Sequence, residues 1–407
     1  MMLKAASLYY SVFFLLIVGV FCYLILNSYT FFLRMDDYYD MQDRMLLNNQ
    51  SAVAYAEQYY SDLDNQSEKI FFSDYNIKTR FIKRKWGYFE KLEINSIFKK
   101  DTLSQCFLTG KKQISNMPAL YLRNNNENLN LSGNTFINGD IYIPELGIKN
   151  IEINSCGVNN FSRSRHNGKI YTSKKNLPRV NEVNLEYSEN WIYSKIENFK
   201  HNEILNSFRN VTKVVLVEGY LRNYIIKGNI IIKSNDTLHI DSSTYLEDVI
   251  LDAPKVVFHS NFRGNAQVFA KNGVVLENNT KLKYPSIIVS KSDETSELIF
   301  NNQSSFSGLI YFQTLGLSQV DRNTLIIEEN ATIEGNIYCE GNLFLKGKVL
   351  GSVFTSSLQY KNNEFGYENL ICGGEIFSNP QEKKNFFFQL DYLENFNSSQ
   401  ALLLKQI

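Results

Sequence analysis

Five carboxylates, Asp236, Asp241, Glu247, Asp248 and Asp252, crowd one turn-rich stretch and are the residues best suited by type to acid–base chemistry. A polysaccharide lyase or hydrolase on a β-rich scaffold needs carboxylates, or an Arg or Lys base, gathered on adjacent strands of one face. The spacing gives no paired-carboxylate motif, so these side chains are expected to solubilise turns. Four histidines, His166, His201, His239 and His259, are scattered. His239 and His259 fall in strand-like runs and could stack on one face, but two histidines on separate strands read as fillers rather than metal ligands. Lys78, Arg80, Lys83, Arg84 and Lys85 interleave with Phe81, Ile82 and Trp86, a pattern that could hold a polyanion such as DNA; the other reading is a solvated strand face. Cys106, Cys156, Cys339 and Cys372 lie far apart without a C-x-x-C pair, which argues against zinc. In an oxidising compartment they would give one or two disulfides, for instance within the C-terminal pair; otherwise they are free buried thiols. There is no G-x-S-x-G, phosphate-cradling loop or H-E-x-x-H, and neither enzymatic activity nor a cofactor is expected.

The elements that carry these residues are set by a recurring apolar–x–Gly–x–apolar–x–apolar pattern. It stands at Ile137–Ile143 around Gly139, at Ile226–Ile232 around Gly228, at Phe306–Phe312 around Gly308 and at Ile333–Cys339 around Gly335, with a variant around Gly347 that continues to Gly351 and Phe354. Alternation gives each short strand one buried face, and glycine supplies corner dihedrals that other residues resist. More such runs lie between, including Thr237-Leu238-His239-Ile240, Lys255-Val256-Val257-Phe258 and Thr324-Leu325-Ile326-Ile327. Asn is abundant in the gaps, where it tolerates left-handed dihedrals and can stack on Asn of the neighbouring coil. The expected fold of residues 124–376 is a right-handed β-helix (solenoid), with a twisted β-sandwich as the alternative. An insertion at 179–210, around Trp191-Ile192-Tyr193 and Ile204-Leu205, reads as helical, and 377–407 as a C-terminal cap or tail.

Upstream, Ala5 to Leu33 carries no charged side chain, long enough for one membrane-spanning helix within 1–34. Lys4 before it and Arg34, Asp36, Asp37 and Asp40 after it place the short end in the cytoplasm by the positive-inside rule; a cleaved signal peptide is the other reading. Met41, Met45, Ala52, Tyr55, Ala56 and Tyr59 recur at spacings of three and four, so the helix is expected to continue through 35–66. Short β-prone runs over 67–123 predict a small antiparallel sheet, with a boundary at the Asn-rich break 124–128. With 42 basic and 42 acidic side chains, no net field draws the chain to nucleic acid or an anionic surface.

The order of apolar helix, continuous polar helix and small sheet, opened by Lys4-Ala5-Ala6-Ser7-Leu8, resembles the minor pilins and pseudopilins of type IV pili and secretion systems. The glycine-cornered runs at 333–337 and 345–353 resemble those of bactofilins, which form stacked β-solenoids. Together these resemblances imply a non-enzymatic structural or assembly protein of the bacterial envelope. It would be single-pass in the inner membrane with its C-terminal region extracytoplasmic, and would meet the membrane, other envelope or pilus-like proteins and copies of itself. A polysaccharide-binding or polysaccharide-cleaving β-helix, and a DNA-binding pilin-like protein, are the alternatives.

Overall fold

The computed structural model describes residues 2–71, 76–111, 117–156, 165–180, 184–185, 187–188, 190–292, 295–315, 323–362, 366–378 and 401–407. The chain is mainly β, with one long N-terminal helix, a small antiparallel sheet and a large parallel sheet. It divides into two compact units: residues 1–56, 63–82 and 93–105, and residues 57–62, 83–92 and 106–407.

The first unit is built on α1 (Met2–Gln58). The most apolar window of this helix has no buried residue and is long enough to cross a membrane once. Its C-terminal part buries Met45, Asn48, Asn49, Ala52 and Ala56, a stripe at the three- and four-residue spacing of one helix face. The asparagines are hydrogen-bonded: Asn48 donates to Thr79 Oγ1 (2.7 Å) and Ser96 Oγ (3.0 Å), and Asn49 to the Ile94 carbonyl (3.3 Å). Tyr55 packs edge-on against Phe71 and beside Phe81. The helix ends at Gln58 and a strand begins at Gln66, so the polar extension is shorter than the 35–66 expected from composition. A 3-10 turn at Tyr60–Asp62 follows, and Leu63-Asp64-Asn65 is non-helical.

The small sheet comprises β1 (Gln66–Lys69), β2 (Lys78–Trp86), β3 (Phe89–Phe98), β4 (Asp101–Lys111) and, at its far edge, Ala401–Gln406 paired antiparallel to β4. The described end of the expected C-terminal cap is therefore an edge strand of this sheet; residues 379–400 lie outside the described residues.

In the second unit, parallel pairings fall into three ladders. Ladder A joins, in order, the strands around 193, 214, 231, 250, 268, 288, 310, 337, 353, 121, 142 and 171. Ladder B starts at 203–206 and 225–228 and ends at 348–350, 375–377, 136–138 and 166–167. Ladder C joins 220–221, 238–240, 256–258, 273–276, 297–300, 324–327 and 342–345. The chain visits them in the repeated order B, A, C. Ile226, Ile230, Ile232, Leu238 and their successors on every row meet in one buried apolar cluster, each fully buried side chain contributing about 1.5–3 kcal/mol.

Two features depart from sequence order. The strands Leu120–Leu122, Ile141–Ile143 and Ile170–Thr172 pair beyond the strand at 353–355, so the first parallel strands in sequence stand at the far end of the ladder. The Asn-rich break at 124–128 accordingly lies inside the parallel sheet, not at a domain boundary, because Leu120–Leu122 already belongs to ladder A. The expected helical insertion is also replaced. The described residues after Thr172 form an extended strap, then the strands Ile192–Lys195 and Glu203–Asn206 around a short 3-10 turn. Leu177, Val180, Leu185 and Trp191 lie on the outward apolar side of ladder A. Tyr338 donates to the Pro178 carbonyl (3.0 Å), Lys291 to Asn184 (2.8 Å) and Tyr187 to Asp252, so the strap returns the chain along the ladder to its first strand. Ile196 and Phe199 then pack against the core beside that first strand.

Candidate functional site

The outward side of ladder A is covered by the protein's own segments. At the turn after β2, Gln267 Nε2 donates to the Trp86 carbonyl (3.1 Å) and Gln267 Oε1 accepts from the Tyr88 N–H (2.8 Å). Trp86 meets Phe208 edge-on at 4.8 Å, and Lys91 donates to the Phe208 carbonyl (2.6 Å). Lys405 lies 2.7 Å from both Glu247 and Asp248; despite its burial, these carboxylates raise the Lys405 pKa, and its hydrogen bond lowers that of Glu247.

Ladder C differs. Its register aligns Tyr220, His239, Val257, Val275, Ile299, Ile326 and Phe344 in one column, between core-facing neighbours such as Leu238 and Ile240. Tyr220 is exposed and the rest are half-buried. Strand pleating sends alternate side chains to opposite faces, so this column faces away from the core. At its start the rings stack: Tyr220 on His239 at 4.6 Å, and His239 on His259 at 5.4 Å and 15°. The histidine stacking anticipated from the sequence is present. Burial, together with the facing His259, holds the His239 pKa below its ordinary value. Two residues on in each strand, the backbone bonds align Asp241, His259, Glu277, Asn301, Glu328 and Lys346 as a charged and polar column beside the apolar one. His259 Nδ1 is 3.1 Å from Glu277 Oε1, and Lys346 pairs with Glu328 at 3.1 Å. Glu277 is held below the usual carboxylate range: burial opposes this, but the Ser260 N–H and hydroxyl and His259 outweigh it. Val257, Val275, Ile299, Ile326 and Phe344 were not singled out from the sequence. The available signal was the middle residue of Val256-Val257-Phe258, Val274-Val275-Leu276, Leu298-Ile299-Phe300 and Leu325-Ile326-Ile327, apolar where simple alternation would put a polar side chain.

The acidic residues do not converge. Asp241 caps its own turn through Ser243, Glu247 and Asp248 hold Lys405, and Asp252 accepts from Tyr187. Among the described residues no group of three His, Cys, Asp or Glu side chains could hold a metal ion. The basic run on β2 is divided as well. Arg80 is paired with Glu68 at 2.6 Å, while Lys83 donates to the Tyr60 carbonyl (3.3 Å) with its ammonium 4.6 Å from the Tyr60 ring centroid. Lys78, Arg84 and Lys85 are exposed.

Four of the five glycines of the repeat pattern do one job. Gly139, Gly228, Gly308 and Gly335 have positive φ at the bend between ladders B and A, where a Cβ on Gly335 would sit 1.9 Å from the Gly308 carbonyl oxygen. The fifth position of this kind is Gly351, stacked on Gly335, not Gly347. Gly347 lies at the turn from ladder C to ladder B, with a different constraint: a Cβ there would meet the Ala331 carbonyl oxygen at 2.5 Å. The asparagines behave as composition suggests. Asn261, Asn279 and Asn330 occupy left-handed dihedrals at turns of this kind, with Gln303 at the turn between the last two, and Asn279 donates to Asn261 (2.7 Å). Cys156 is joined to Cys372 rather than Cys339 to Cys372, because the strands at 370–372 and 129–132 are neighbours and 156 lies beside them. Cys106 and Cys339 are buried thiols, and burial pushes Cys339 up to about 12.

Compared with protein-family models, curated proteins and solved structures, the chain matches none.

Proposed function

We propose that this chain is a single-pass, membrane-anchored structural protein of the bacterial envelope, whose three ladders wind as a β-helix that presents an interaction surface. The observation that carries this reading is the pairing of one unburied apolar helix with ladders kept in register over many rows. A stack of coils is rigid and periodic, which suits display and assembly. The disulfide between Cys156 and Cys372 supports an extracytoplasmic location, since such bonds persist in oxidising compartments. The side-chain inventory favours shape over turnover: the carboxylates are spread among separate turn, ion-pair and hydrogen-bond roles. The pilin-like and bactofilin-like resemblances fit the same reading of helix and coils.

The test is membrane extraction combined with thiol labelling. With Cys22→Ser as background, Lys149→Cys is expected to react in intact spheroplasts with a maleimide that cannot cross the membrane, and the protein to stay in the pellet after alkaline carbonate. Release by carbonate, or labelling only after lysis, overturns the proposal.

A further inference from the structure

We propose that the outward column of ladder C is a self-association face, taken by the same face of a second copy of this chain with its stack reversed. The inference rests on the reading of the ladders as a rigid display surface and names the partner of that surface.

The apolar column and the polar column beside it together specify the partner. Consider a two-fold axis lying along the strands and passing between the rows of Val275 and Ile299. Val275 then faces Ile299 of the other copy, Val257 faces Ile326 and His239 faces Phe344. Each of the two central rows thus combines one valine with one isoleucine, which keeps the spacing between the two sheets constant. In the adjoining column Asp241 faces Lys346, His259 faces Glu328 and Glu277 faces Asn301, so no like charges meet. The alternative axis, along the stack, sets the two flanks against each other: it brings Arg222 to Glu218 but His259 to Lys255, one opposite-charge contact against one unfavourable one, where the reversed stack has only favourable pairs. Charge complementarity fixes orientation more than affinity, and it selects the reversed stack.

The face is small. The six rows that face each other, about 4.8 Å apart, with outward side chains spread over about 13 Å of strand, offer about 370 Å² per copy and about 750 Å² in all. That is below the 1,200–2,000 Å² typical of stable complexes, so the contact is a weak one that a shared membrane surface would populate by raising effective concentration.

Two measurements on the full chain in detergent, in the Cys22→Ser background, test it. In cysteine cross-linking, Val257→Cys and Ile326→Cys chains are oxidised separately and as an equimolar mixture. The reversed stack predicts covalent dimer in the mixture alone, since two copies of either residue lie three rows apart, about 14 Å. Dimer from Val257→Cys by itself indicates the parallel arrangement and overturns the proposal. In sedimentation velocity at tens of micromolar protein, Ile326→Glu is expected to raise the dimer dissociation constant at least tenfold. Lys346→Glu is expected to raise it several-fold, and adding Asp241→Lys to restore it. A monomer at every concentration, or no rescue, overturns the self-association face while leaving the membrane and thiol results untouched. Far-UV circular dichroism of each variant separates lost association from lost fold.

Discussion

Gly335→Ala is predicted to be among the most damaging single-methyl additions available in this protein. The φ of Gly335 is +139°, outside the left-handed well that non-glycine residues visit, and the added Cβ would stand 1.9 Å from the Gly308 carbonyl oxygen. Relief by movement is blocked, because Gly308 is itself pressed on Ser286 and Gly351 on Gly335. The dihedral strain costs about 1–2 kcal/mol. Separating the rows loosens at least two ladder hydrogen bonds at about 1 kcal/mol each. The expected loss is therefore about 3–4 kcal/mol, toward the upper end of single-substitution effects. Gly147→Ala is the control: its φ is +76° but nothing lies within 4 Å of the added Cβ, so only strain of about 1 kcal/mol applies. Urea unfolding of the full chain in detergent, followed by circular dichroism, reads both. Equal midpoint shifts for the two variants would refute the close stacking of glycines at this bend.

Gln267→Leu removes both hydrogen bonds to the backbone of Trp86 and Tyr88, and is expected to cost about 2–3 kcal/mol, visible as faster proteolysis around residues 83–92. Cys156→Ser opens a link between residues 216 apart in sequence and should lower stability by about 2–5 kcal/mol, with dithiothreitol lowering the wild-type melting temperature equally and the variant not at all. Because the folded-state pKa of His239 is lowered, its contribution is fully present above the ordinary histidine value and is lost as pH falls below it. Thermal melts between pH 7.5 and 5 should fall more steeply for the native chain than for His239→Phe.

What the sequence made legible was local. Alternation around Gly139, Gly228, Gly308 and Gly335 identified short strands with left-handed corners, and Asn-rich gaps identified the turns, because both are set by dihedral preferences within a few residues. The span of α1 was readable from its charge-free run, whereas its end at Gln58 depended on which strand the chain enters next. Long-range choices were not readable. Nothing within residues 119–172 states that they pair with Val353, and the segment 179–210 reads as helical because Val180, Leu185 and Trp191 serve the outer side of ladder A rather than a strand. The pairing of Cys156 follows from that order of stacking, so it was equally hidden. Gly347 and Gly351 were interchangeable by pattern; only register distinguishes them. The ladder C column was missed because an apolar middle residue in Val256-Val257-Phe258 also suits a strand buried on both faces.

One distance tests the order in which the strands pair along ladder B. Spin labels at Leu205 and Asn167, both exposed and on ladder B, are 38 residues apart in sequence but stand at its opposite ends. Ten ladder steps separate them, from 205–227 through 246–265, 282–306, 334–350 and 377–138. At about 4.8 Å per step the predicted separation is about 48 Å. Dipolar spectroscopy on the full chain, with Cys22 replaced, should give a single narrow distribution near that value. A distance of about 5–15 Å, as coils stacked in sequence order require, would contradict it.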